Sequence, residues 1–154
     1  MLKKILIISL IFFGISQCGY SPMYSNNQNT DLNIKIVEIT GDEYINNNLI
    51  RRLNRYKDAN AEEIQIKISS TFHKDVTAKN KKGNPSSFEL RLTINFVTQR
   101  NNGIDNKNFS FTQKVNMNAL DNKIQENDYE KDMKEMLADS ILNQAIQKIS
   151  YSLK

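Results

Sequence analysis

The stretch Phe88-Glu89-Leu90-Arg91-Leu92-Thr93-Ile94-Asn95-Phe96 alternates apolar and polar side chains without a break. Successive side chains of a β-strand leave opposite faces, so a strand here carries one apolar face and one polar face. That is the pattern of an antiparallel sheet packed on one side and solvated on the other. Two neighbouring stretches repeat it. Ile64, Ile66, Ile68 and Phe72 alternate with Gln65, Lys67, Ser69 and Thr71. Phe109, Phe111, Val115 and Met117 alternate with Ser110, Thr112, Lys114 and Asn116. The segment from Thr77 to Pro85 reads as a long basic hairpin loop between the first two. Asn101-Asn102-Gly103-Ile104-Asp105-Asn106 links the last two, and Asn-Gly is a strong hairpin signal.

Upstream, Leu32 to Thr40 reads as a further strand. Ile34 and Ile36 share one face, while Val37 and Ile39 continue on the other, so both faces are expected to be partly covered. Thr40-Gly41-Asp42-Glu43 has the form of a capping box, with Thr40 capping and Glu43 reaching back. The helix it opens carries Ile45, Leu49, Leu53 and Tyr56 at helical spacing and ends at Asp58-Ala59-Asn60. Arg51, Arg52 and Arg55 are expected on its outer side. Asn46, Asn47 and Asn48 are poor helix formers, so this helix depends on tertiary packing. Downstream, Asn127 is a candidate cap for a last helix, with Glu130 three residues on. Tyr129, Met133, Met136, Leu137, Ile141, Ala145 and Ile149 form its stripe, widened by Leu142, Ile146 and Leu153. Its expected length is about 25 residues, roughly 37 Å.

The predicted fold class is therefore α+β, in the order β-α-β-β-β-α. It is a four-stranded, mostly antiparallel sheet with two helices packed on its apolar face. The polar face is left free. A parallel pairing across the first helix would require a right-handed crossover.

The chain before this domain has another character. Lys3 and Lys4 precede an apolar run from Ile5 to Ile15, eleven residues long. A membrane-spanning helix needs about 20 residues, so the run fits the core of an export signal better than an uncleaved anchor. Ile15-Ser16-Gln17-Cys18 resembles a lipobox, the site read by lipoprotein signal peptidase, although Gln17 replaces the usual Gly or Ala. The expectation is a signal peptide over residues 1–17 and a lipidated Cys18 as the first mature residue. Cys18 is the one cysteine of the chain, which rules out an internal disulfide framework. The Gly at position 19, where Asp would favour inner-membrane retention, resembles an outer-membrane address. Residues 18–31 are polar and broken by Pro22, and read as a lipidated flexible tether with a mean reach of roughly 20 Å. The remaining unit, residues 32–154, is long enough for one core.

The full chain has 154 residues and a formal charge of +4. Loss of Lys3 and Lys4 leaves about +2, too near neutral to imply nucleic-acid binding by bulk charge. No catalytic constellation is present. His73 is the one histidine, so neither a His pair for a metal nor a triad can be assembled. Gly41, Gly83 and Gly103 are isolated turn glycines, not a phosphate loop. The carboxylates near element ends fit solvation and helix-dipole compensation better than paired acid–base work. The sequence implies a non-enzyme that needs no cofactor. Its informative polar feature is a set of cations. Lys79, Lys81 and Lys82 lie in the basic loop, with His73, Lys74, Arg91, Arg100 and Lys114 expected on or near the polar strand faces. Such a set reads either as ordinary solvated charge or as a site for the phosphates of a lipid headgroup, and on the second reading Lys79, Lys81, Lys82, Lys74 and Arg91 are the candidate binding residues.

Taken together, the lipobox, the mature start Cys18-Gly19-Tyr20-Ser21-Pro22-Met23-Tyr24, the element order and the closing helix with Tyr129, Leu137, Ala138 and Ile141 resemble the LPS-assembly lipoprotein (LptE) family, in its alphaproteobacterial type. The resemblance covers the whole chain. It implies a lipid-anchored outer-membrane protein on the periplasmic side. Such a protein plugs the lumen of the β-barrel LPS-assembly protein LptD, assists its folding and binds lipopolysaccharide during insertion. The alternative is a structural or scaffold lipoprotein of another envelope assembly, with no lipid ligand.

Overall fold

The computed structural model describes residues 32–100 and 106–152. The signal, Cys18, the tether, the Asn102-Gly103 turn, the Arg100 side chain and Leu153 lie outside the described residues. The elements are β1 (Asn33–Thr40), α1 (Glu43–Leu53), β2 (Glu63–Lys79), β3 (Pro85–Arg100), β4 (Lys107–Asn118) and α2 (Lys123–Ser152). The expected order β-α-β-β-β-α is the observed one. The sheet order is β1-β2-β3-β4; β1 runs parallel to β2, and the other two pairings are antiparallel.

The register places the apolar faces of neighbouring strands side by side. Ile68, Phe96 and Phe109 form one row, and Ser70, Ile94 and Phe111 the next. Leu90, Leu92, Ile94 and Phe96 are fully buried, and Phe96 meets Phe111 edge-on at 6.1 Å between ring centroids. α1 adds Ile45, Leu49 and Leu53, and α2 adds Leu137, Ala138, Ile141, Leu142, Ala145, Ile146 and Ile149 to the same core. The opposite sheet face carries short polar rows. Thr71, Thr93 and Thr112 line up across β2, β3 and β4, and the Thr93 and Thr112 hydroxyls are 2.9 Å apart.

Four expectations need correction. First, β1 does not cover both faces. A bulge between Ile36 and Glu38 makes Val37 an extra, exposed residue, so Ile39 returns to the Ile68 row on the core side. Second, Thr40 ends β1, and Asp42 caps α1 by accepting from the Ile45 N–H at 3.1 Å. Gly41 turns the chain between them at φ +113°, so close to β2 that a Cβ would fall 2.0 Å from the Ser70 carbonyl oxygen. Third, α1 stops at Leu53, and only Arg52 is partly enclosed against α2, while Arg51 stays exposed and reaches α2 with its tip. Arg51 meets Glu135 at 3.1 Å, and Arg52 binds Asn48 and Asp139. Fourth, α2 begins at Lys123, four residues before Asn127, and spans 30 residues. Asn122 accepts from the Ile124 N–H at 2.9 Å. Tyr129 and Met136 of the expected stripe are exposed.

Candidate functional site

β2 and β3 outrun their neighbour β1, whose last pairing is Thr40 with Ser69. Beyond that row the two long strands continue as a hairpin to Lys79 and Pro85. The expected loop from Thr77 to Pro85 is thus shorter than the sequence suggests, because Thr77, Ala78 and Lys79 are strand residues. The turn itself is built by Asn80. Its backbone carbonyl accepts from the Gly83 N–H at 2.9 Å, and its side chain accepts from the Lys82 and Asn84 N–H groups. Lys79, Lys81 and Lys82 are exposed at this tip. None of the three has a carboxylate partner among the described residues. Three ammonium groups on a short turn, without internal neutralisation, are suited to bind an anion.

The other two candidate cations are differently placed. Lys74 is not on the polar face. It lies opposite Leu90, on the side covered by α2. Its ammonium sits 4.2 Å over the Phe88 ring and pairs with Glu130 at 2.8 Å and Glu126 at 3.5 Å. Lys134 extends the cluster to Asp42 at 3.0 Å and over the Phe72 ring. These ionic contacts pin α2 to the hairpin and to the α1 cap. Glu126 is the most enclosed of them. The Leu120 N–H and the Lys123 ammonium hold its carboxyl below the usual range despite burial. Burial pushes Asp42 up, but the Ile45 N–H and Lys134 outweigh it and its pKa is lowered.

Arg91 is on the polar face, between His73 and Lys114. Its guanidinium is engaged by Glu89 at 2.7 Å and Asp75 at 3.4 Å, and Lys114 shares Glu89 at 3.3 Å. Arg91 and then Lys114 hold Glu89 below the usual carboxylate range. The structure therefore brings Lys79, Lys81 and Lys82 together as free charge and separates Lys74 and Arg91 into internal ion pairs. Sequence reasoning missed Glu126 and Glu130 as partners of Lys74. The available signal was parity, since residue 74 shares its phase with Ile64, Ile66 and Ile68.

The family described as LptE, lipopolysaccharide-assembly, matches residues 30–145. The chain belongs to the LptE family. No curated protein matches the sequence. Among solved structures, rare lipoprotein B from Shewanella oneidensis is similar at a TM-score of 0.57 and 17% identity, over 79% of this chain and 98% of that one. A minor lipoprotein from Acinetobacter baumannii is similar at a TM-score of 0.58 and 17% identity, over 79% and 92%. At such identity these likenesses establish the fold alone, and the family's lipopolysaccharide-assembly role rests on the match over residues 30–145.

Proposed function

We propose that this LptE-family protein is a non-enzymatic, lipid-anchored subunit of the outer-membrane lipopolysaccharide translocon. In this reading residues 1–17 are removed, Cys18 carries the lipid and residues 18–31 tether the domain to the periplasmic side of the outer membrane. The domain plugs the lumen of the LptD barrel and assists its assembly. A small domain with a polar sheet face suits the polar interior of such a barrel. The hairpin tip meets the phosphates of lipopolysaccharide through Lys79, Lys81 and Lys82.

The observation that carries the anion contact is the cluster of three exposed lysines without internal partners, in a chain of a lipopolysaccharide-assembly family. Lys74 and Arg91 are assigned to holding the hairpin and the polar face in place, because both are already paired. Replacing all three tip lysines by alanine is expected to weaken lipopolysaccharide binding on the order of tenfold. Unchanged binding removes the tip from the site. Gentle detergent extraction should recover the protein with a large barrel partner, and recovery without one favours the scaffold reading. Mass spectrometry of the mature N-terminus reads the acylation of Cys18 directly.

A further inference from the structure

β1 is an edge strand whose outer side is only partly covered. After α1 the chain lays Tyr56, Lys57 and Asp58 against its beginning. The Ile34 N–H donates to the Tyr56 carbonyl at 2.8 Å, and the Asp58 N–H donates to the Leu32 carbonyl at 3.2 Å, an antiparallel bridge centred on Asn33 and Lys57. This added strand stops at once. The Tyr56 N–H turns back to the Leu53 carbonyl at 2.9 Å, so it does not continue the ladder to Ile34. Residues two apart in a strand present their backbone to the same side. The Ile34 carbonyl and the Ile36 N–H and carbonyl therefore point away from β2, just before the bulge. Beside them lies a groove of about 460 Å³ between β1 and the second half of α1, walled by Ile36, Ile50, Asn54 and Lys57. Lys35 on its rim is paired with Glu63 at 3.2 Å. Lys57 and the nearby Arg55 are exposed and have no carboxylate partner among the described residues.

We propose that the β1 edge at Ile34–Ile36 takes up an extended, acidic polypeptide segment as an added antiparallel strand. The chain's own Tyr56–Asp58 segment sits on the same edge in the same mode, which identifies backbone amides as the chemistry the edge accepts. Main-chain hydrogen bonds supply affinity in strand addition, and pockets for alternate side chains supply selectivity. Ile36 and Ile50 offer an apolar wall to one side chain, and Lys57, whose ammonium has no carboxylate partner among the described residues, offers charge complementarity to a neighbouring carboxylate. The edge is at the opposite end of β2 from the lysine tip, so it stands independently of the lipid-anion site.

The test uses the full chain in nonionic detergent. The probes are a labelled decapeptide alternating valine and glutamate, the same peptide with N-methylated amides, and a decapeptide alternating valine and lysine. Saturable binding of the acidic peptide is expected, with slowed hydrogen exchange at the Ile36 amide. N-methylation of the peptide, or Lys57→Glu in the protein, should each weaken it about tenfold or more. Lys57 is exposed, so this substitution leaves the core untouched. The proposal is overturned if the acidic peptide does not bind saturably, if the methylated or basic peptide binds equally well, or if protection appears along β4 instead of at Ile36.

Discussion

Replacing Gly41 by alanine tests the turn that joins the sheet to α1. Two costs add at this position. The backbone is at φ +113°, where an L side chain is strained by about 1–2 kcal/mol. The new Cβ would also stand 2.0 Å from the Ser70 carbonyl oxygen and 2.4 Å from the Ser70 hydroxyl. Neither can yield freely. The Ser70 carbonyl belongs to β2, and its hydroxyl accepts from the Asp42 N–H at 3.1 Å and lies 2.9 Å from the Asn46 side-chain oxygen. Forcing β1 and β2 apart there is an overpacking change of about 1–3 kcal/mol. The sum is about 2–5 kcal/mol, less about 0.5 kcal/mol for the stiffer unfolded chain. For a domain of this size the net of about 1.5–4.5 kcal/mol lowers Tm by roughly 6–18 °C. Gly83→Ala is the control. Gly83 also has positive φ, at +83°, but a Cβ there meets nothing within 4 Å. Its cost should be about 1 kcal/mol. Urea unfolding of both variants, read as midpoint shifts at constant slope, separates backbone strain from steric conflict. If the two variants fall within about 0.5 kcal/mol of each other, the close approach of Gly41 to Ser70 is refuted.

Three further outcomes follow from particular contacts. Val37→Asp should change stability by no more than about 0.5 kcal/mol in thermal unfolding, because the bulge leaves Val37 outside the core, whereas Ile34→Asp should prevent stable folding. Glu126 has a lowered folded-state pKa, so it contributes stability above its unfolded value near 4.5 and loses that contribution as pH falls through the folded value. Denaturation series should accordingly show Glu126→Gln less stable than wild type at about pH 6, with the gap shrinking below about pH 4. The triple change of Lys79, Lys81 and Lys82 to alanine should move the thermal midpoint hardly at all while weakening lipopolysaccharide binding, since all three side chains are exposed and unpaired.

Much of the fold is legible because period-two alternation is a direct imprint of the pleat. Phe88 to Phe96 shows it without interruption, and its even residues are the buried ones. The signal fails where one residue shifts the phase. Val37 looks like the start of a second apolar face, and pairing with β2 is needed to show that it is a bulge. It fails again where a polar residue occupies a core phase. Ser70 and Lys74 are on the helix side because Asn46, Glu126 and Glu130 meet them there, and those partners lie 24 to 56 residues away in sequence. The start of α2 was misplaced for a local reason. Asn122 and Asn127 are both competent caps, and Glu126 decides between them by accepting from the Leu120 N–H just before the first turn. The tip lysines were legible as a cluster, but the ion pairs of Arg51, Arg52 and Lys74 were not, since they depend on the packing of α2, and that of Arg91 depends on the β2–β3 register.

The unequal strand lengths grade the sheet. β1 has 8 residues, β4 has 12, and β2 and β3 have 17 and 16. The amides of Ile68 and Ile94 have a strand on either side and helices above, so they open only when the whole domain does. Amides from Asp75 to Lys79 have β3 on one flank and solvent on the other. They should exchange by local fraying, with a free energy far below the global value. The hairpin is thus anchored at one end and yielding at the other. Its charged tip can change shape on the timescale of local opening while the core keeps its packing.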